Sequence, residues 1–187
     1  IGNIIEGGLV SNLGKIDVEA SAFATSSNDT KATAYGIIVD TLSIGGSITN
    51  SGTVEVVADA TNTSHTSAAT ANITANAYGV HVGSAGGSIT NSGTIDVKAE
   101  AGAYASYTAT TSTIVSSFDL SASANAYGIS ANTLSIGGSI TNSGTINVEA
   151  SADASSSSSS GASGTIYSSA TAYGIYVGDV AGNIENS

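Results

Sequence analysis

In Ile95-Asp96-Val97-Lys98-Ala99, apolar and polar residues alternate with period two. The alternation recurs in Ile16-Asp17-Val18-Glu19-Ala20, Val54-Glu55-Val56-Val57-Ala58 and Ile146-Asn147-Val148-Glu149-Ala150. It predicts β-strands with Ile, Val and Ala on one face and acids or lysine on the other. A second kind of run, Ala124-Asn125-Ala126-Tyr127-Gly128-Ile129, alternates in the same way but presents small inward residues. No segment joins helical apolar spacing to helix caps over a useful length, so the fold class predicted is all-β.

These runs belong to a repeat, and self-similarity governs the whole fold where it occurs. Tyr35, Tyr78, Tyr127 and Tyr173 each stand in Ala-Tyr-Gly followed by an aliphatic residue, and Asn12, Asn50, Asn91 and Asn142 each open a short turn before a strand. The phrase Gly-Gly-Ser-Ile-Thr-Asn-Ser-Gly-Thr starts at Gly45, Gly86 and Gly137, with Ile48, Ile89 and Ile140 at its centre. Tyrosine and the next asparagine are 15 residues apart (35 to 50, 127 to 142) or 13 (78 to 91, 173 to 186). From the aliphatic residue after the turn to the next tyrosine the separation varies: 19 (16 to 35), 24 (54 to 78), 32 (95 to 127) and 27 (146 to 173). Length is controlled on one side of the unit only.

Short strands, tight polar turns and a fixed repeat suit a parallel β-solenoid, or β-helix, in which each strand pairs with its equivalent one level up. The chain then reads as one domain, 1–187, with units at about 1–34, 35–77, 78–126, 127–172 and a partial 173–187. Stacking would place Ile on Ile in the core and allow an amide ladder of Asn on Asn. Asn-Ser-Gly is also a turn signal, because Asn tolerates left-handed backbone angles and Gly adopts them freely. A unit of this length is either two coils or one coil with a protruding loop.

The variable segments are expected as Ser/Ala/Thr-rich loops on one side. Among them are Thr61–Ser67, Ala103–Ser112 and the six serines Ser155–Ser160, read as a mobile surface loop. Residues 113–118 carry enough β-formers for an extra strand. Variable loops on one side of a solenoid are the usual place for binding surfaces, which makes Tyr104, Tyr107, Phe118 and Tyr167 the candidate partner residues. The tyrosines in register are read as a structural ladder beside glycine, with sugar stacking as the competing role.

Composition narrows the chemistry. Charged residues are only 9% of the chain, with 14 acids against three lysines and a formal charge of -11. Such a surface repels phosphate backbones, which excludes nucleic acid as a partner. Cys is absent, which removes disulfides, thiolate metal sites and catalytic thiols. No apolar run reaches the roughly 20 residues that span a bilayer, so no membrane insertion is expected. The start, IGNIIEGGLV, lacks Met and the basic region of a signal peptide, and reads as a processed product or a piece of something longer. His65 and His81 do not recur and are read as solvated or packed imidazoles. Many serines are present without a G-x-S-x-G elbow. Stacking would align Asp17, Glu55 and Asp96 with Asn147, and Glu19 and Glu149 with Val57 and Lys98. Those columns raise calcium as a ligand, but no EF-hand or G-G-x-G-x-D loop gathers oxygens, and a solvated outer face is the preferred reading. No catalytic residue and no cofactor is expected.

The phrases G-S-I-T-N-S-G-T-I, I-x-V-x-A and A-Y-G-I together resemble the degenerate repeats in passenger regions of Gram-negative autotransporters, the type V secreted surface proteins. The resemblance runs through all four units and implies a β-helix exported to the cell surface, serving as an adhesin or as the stalk that displays one. The function expected is therefore a non-enzymatic, extracellular structural or adhesive solenoid, a surface rod whose partner is a host or cell-surface glycan or protein. A self-assembling filament, built by head-to-tail stacking of the chain on itself, is the first alternative. A β-helical polysaccharide-active enzyme is the second.

Overall fold

The computed structural model describes residues 2–26, 28–64, 68–107, 117–158 and 164–187. The chain lays down β1 (Asn3–Ile4), β2 (Leu9–Asn12) and β3 (Lys15–Ala24), then repeats the order long, short, long. β4 (Thr30–Leu42), β5 (Ser47–Asn50) and β6 (Thr53–Ser64) form the second coil, and β7 (Ala68–Ala85), β8 (Ser88–Asn91) and β9 (Thr94–Tyr107) the third. β10 (Ser117–Leu134), β11 (Ser139–Asn142) and β12 (Thr145–Ser158) follow, then β13 (Gly164–Val180) and β14 (Asn183–Asn186). Each strand pairs in parallel with its counterpart in the next unit, giving three sheets: β1-β4-β7-β10-β13, β2-β5-β8-β11-β14 and β3-β6-β9-β12. This is a parallel β-solenoid with one coil of three strands per sequence unit. No helix of the described residues is long and apolar enough to cross a membrane.

The register is that of the sequence repeat. Tyr35, Tyr78, Tyr127 and Tyr173 are aligned partners in the first sheet, here the tyrosine sheet. Ile48, Ile89 and Ile140 are aligned in the short sheet. Strict alternation buries one face of each strand. Along β6 the inward residues Val54, Val56, Ala58, Ala60, Asn62 and Ser64 are all buried, and they change from branched aliphatic to small. Facing them, the tyrosine sheet contributes residues such as Ala75, Ala77, Ala124 and Ala126. The small inward layer lets Cα atoms of the two long sheets approach within 8 Å across the interior, as between β7 and β9 or β10 and β12. Packed sheets usually stand roughly 10 Å apart.

Much of the length of the variable segments is taken into strand. Thr61–Ser64 end β6, and Ala103–Tyr107 end β9. Ser155–Ser158 lie on β12, paired with Tyr104–Tyr107, and are not a loop. A strand already in place supplies a row of backbone partners, so even serine is held extended against it. Ser159, Ser160, His65 and residues 113–116 lie outside the described residues. Ser117 and Phe118 begin β10.

The asparagine turn works differently from the sequence reading. Among the described residues none but glycine has a positive φ, and the glycines that do are Gly7, Gly45 and Gly137, not the glycine of Asn-Ser-Gly. Gly45 and Gly137 sit in the turns that make the 15-residue spacing two residues longer than the 13-residue one, and these turns leave Ile44 and Ile136 exposed. In Asn-Ser-Gly the glycine is demanded by closeness. A Cβ on Gly93 would stand 2.0 Å from the carbonyl oxygen of Gly52 one coil below, and one on Gly144 would stand 2.1 Å from that of Gly93. Gly93→Ala is therefore expected to cost about 1–3 kcal/mol through forced backbone shift, read as a lower urea midpoint with an unchanged slope. An unchanged midpoint would mean that the turns do not stack this tightly.

The two landmarks of the repeat meet inside the coil. A Cβ on Gly79 would lie 2.4 Å from Cγ2 of Ile95, and one on Gly128 would lie 2.3 Å from Cγ2 of Ile146. The glycines after Tyr35, Tyr78 and Tyr127 thus make room for Val54, Ile95 and Ile146.

Candidate functional site

Asparagine forms a continuous ladder, buried from Asn12 to Asn142. Asn12 Nδ2 donates to Asn50 Oδ1 at 2.8 Å, and the links Asn50 to Asn91, Asn91 to Asn142 and Asn142 to Asn186 are each 2.7 Å. Asn50 and Asn91 are 0% and 1% exposed, so these amides hold the coils in register and are closed to ligand.

On the tyrosine sheet the aligned rings stack, with centroids 4.8 Å apart for Tyr35 and Tyr78, 5.0 Å for Tyr78 and Tyr127, and 5.6 Å for Tyr127 and Tyr173. His81 leans on Tyr35 and Tyr78, and Tyr176 on Tyr127 and Tyr173. The rings within the column cover each other's faces, so a sugar has no ring face there to lie on. This arrangement favours the structural role. Burial pushes the phenol pKa of Tyr78 and Tyr127 up.

His81 Nδ1 lies 2.8 Å from Ser130 Oγ, a nucleophile–base distance. Ser130 is only 3% exposed, and the strand amides around it are committed to the ladders on both sides of β10. No substrate carbonyl reaches that hydroxyl, and the pair serves packing. Burial lowers the His81 pKa below the ordinary histidine value, against an opposing pull from Asp40.

The third sheet is acidic on its outer face. Asp17, Glu55, Asp96 and Asn147 form one column, and Glu19, Val57, Lys98 and Glu149 the next. Like charges one strand apart repel by about 1 kcal/mol in water, and the sheet relieves this locally. Lys15 bridges Asp17 at 2.9 Å and Glu55 at 2.8 Å, Lys98 pairs with Glu100 at 2.9 Å, and Asn147 donates to Asp96 at 2.6 Å. Hydrogen bonds to Glu55 and then Asp17 raise the Lys15 pKa above the usual lysine range. Among the described residues no three His, Asp or Glu side chains gather as a metal site would require.

Of the candidate partner aromatics, the three whose side chains are described lie apart. Phe118 is partly buried against the core, beneath Gly164 of the next coil. Tyr167 is 58% exposed on the tyrosine sheet and borders a hollow of about 190 Å³ with Asn72 and Asp119. The Tyr107 side chain lies outside the described residues. Tyr104 is on the acidic sheet, with its ring folded over Gly102: a Cβ there would meet ring atoms at 2.7 to 3.1 Å. Desolvation, and then the nearby Asp153 carboxylate, raise its pKa.

No family model, curated protein or solved structure matches the chain. Around Tyr104 lie Asp59, Glu100, Thr61, Ser151 and Asp153, which line a hollow of about 230 Å³. Period-two reading puts each of these on an outer face. Their convergence depends on pairing Asp59 with Glu100 and Gly102 with Asp153 across coils, and on the bend of one ring, which has no signal in the sequence.

Proposed function

We propose that this chain is a non-enzymatic, extracellular structural and adhesive β-solenoid, of the kind carried in autotransporter passengers. The observation that carries the reading is the use of the inward positions for self-stacking: the Asn12 to Asn186 amide ladder and the Ile48, Ile89, Ile140 column run through the coils without a break for a cofactor or a catalytic group. The likeness of its repeat phrases to those of surface passengers supports a position outside the cell. A coil of this build adds about 4.8 Å of rise, whereas its 18-residue strands β7 and β10 run to roughly 60 Å at 3.3 Å per residue. Length comes slowly and lateral surface quickly, which suits a display face more than reach alone.

Display of the chain on cells that lack other adhesins tests the reading. Adherence to glycan- or protein-coated surfaces several-fold above cells with an empty display system is expected, and is lost when the solenoid is unfolded by Ile89→Asp. Adherence equal to that of empty cells overturns it, as does turnover of a polysaccharide by the purified protein.

A further inference from the structure

We infer that Tyr104 and the carboxylates beside it form a binding site for an amino sugar, a pyranose ring that carries a protonated amine. The inference rests on the adhesive reading above and supplies its ligand class.

Tyr104 differs from every tyrosine of the ladder. No ring stacks on it among the described residues, and its own ring lies along the strand over Gly102, in a column that elsewhere holds Phe23, Thr61 and Asp153. Glycine at that one position makes the notch into which the ring folds. The ring is seated against the Gly102 backbone with Asp153 beside it, so little side-chain freedom remains to be lost on binding. Tyr104 forms a wall of two hollows of about 230 Å³ each, one toward Asp59 and one toward Ser155. A flat aromatic held this way matches the apolar face of a pyranose.

The surroundings select among sugars. Glu100 is paired with Lys98, whereas Asp59 and Asp153, which line the same hollow as the ring, have no bonded cation among the described residues. In a chain of net charge -11, this field draws a protonated amine and repels uronic acids and phosphate. The amine also gains a cation–π contact from the ring itself. Polar lining decides between an amino sugar and a lysine side chain. Thr61 and Ser151 offer hydroxyls where an aliphatic stem would want carbon, and Thr61 already donates to Asp59 at 3.1 Å, which holds that carboxylate in place. A hollow of about 230 Å³ is below the roughly 300–1,000 Å³ of sites for drug-sized ligands. One sugar unit fills it, and the rest of a polymer runs along the sheet.

Calorimetric titration with a tetramer of glucosamine and with its fully N-acetylated counterpart, at mildly acid pH and low salt, tests this. The amine form is expected to bind at least about ten-fold more tightly than the acetylated one. Tyr104→Ala is expected to weaken binding by roughly three- to ten-fold, Tyr104→Phe to preserve most of it, and Asp59→Asn to erase the preference for the amine. Both positions lie on the outer face of their strands, and unchanged circular dichroism and melting confirm that each variant folds. Equal binding of the two tetramers overturns the assignment. So does full binding by Tyr104→Ala, or oligolysine that binds as tightly as the sugar and is lost with the same substitution. Failure of the adhesive reading looks different: the tetramer binds the purified protein as stated, but displaying cells do not adhere. Cells that adhere undiminished with Tyr104→Ala overturn the site and leave the adhesive reading intact.

Discussion

Ile89→Asp is expected to leave the protein largely unfolded at neutral pH. Ile89 is 1% exposed and lies in register between Ile48 and Ile140, which are 1% and 0% exposed. Removing the isoleucine side chain from such a column costs about 2–5 kcal/mol. Burying the carboxyl adds to that: a shift of up to about 3–5 pKa units at roughly 1.4 kcal/mol each is the penalty for an acid forced neutral. A domain with about 5–15 kcal/mol of stability does not hold against both. The carboxyl pKa would be raised in the folded state, so the charge penalty is absent below the unfolded value near 4 and grows as pH rises above it. Partial recovery of structure in acid is therefore expected, which a simple cavity would not show. Ser157→Asp, on the exposed side of β12, is the control and should change the stability read from the urea midpoint by no more than about 0.5 kcal/mol. Similar midpoints for the two variants, followed by circular dichroism, would reject the observed register.

Asn91→Leu comes next in size. It keeps the branched outline of asparagine, with bulkier methyl groups, but takes the acceptor from Asn50 Nδ2 and the donor from Asn142 Oδ1, both at 2.7 Å. Asn50 keeps a bond to the Thr94 carbonyl at 3.2 Å, and Asn142 Oδ1 is left in a buried position. At about 1–3 kcal/mol for each polar group stripped of its partner, the expected loss is about 2–5 kcal/mol. Asn91→Gly and Asn91→Asp separate the ladder from a turn preference. Both residues serve turns well, so a turn-forming role predicts small effects. In the ladder, glycine contributes no side chain, and aspartate sets an acceptor against the Asn142 acceptor. Losses above about 1 kcal/mol for both variants support the ladder, and losses below about 0.5 kcal/mol for both would refute it.

Much of the architecture was legible from a few columns. Alternation in Val54-Glu55-Val56-Val57-Ala58 and its counterparts identified strands and their inner faces, and the near-constant tyrosine-to-asparagine spacing identified the unit. Pairing of Asp17, Glu55, Asp96 and Asn147 follows directly from laying identical phrases on one another. Other features were not legible. β7 and β10, at 18 residues, are far longer than the usual strand of five or six, and a run of serines gives no sign that it will extend β12. Tyr104 was singled out because it is aromatic and lies in a variable segment, and its neighbours were missed because they come from three coils.

The difference has one physical origin. Period two along a strand and identity between units are both written into the chain, so the sequence by itself determined which residues point inward and which copy lies on which. Interactions across the coil obey neither rule. The fit of Gly79 against Ile95, the approach of two alanine layers, the choice of one coil per unit and the hollow beside Tyr104 arise only when three sheets close around one interior. Steric limits between side chains distant in sequence set them, and only the tertiary structure decided how those limits were met.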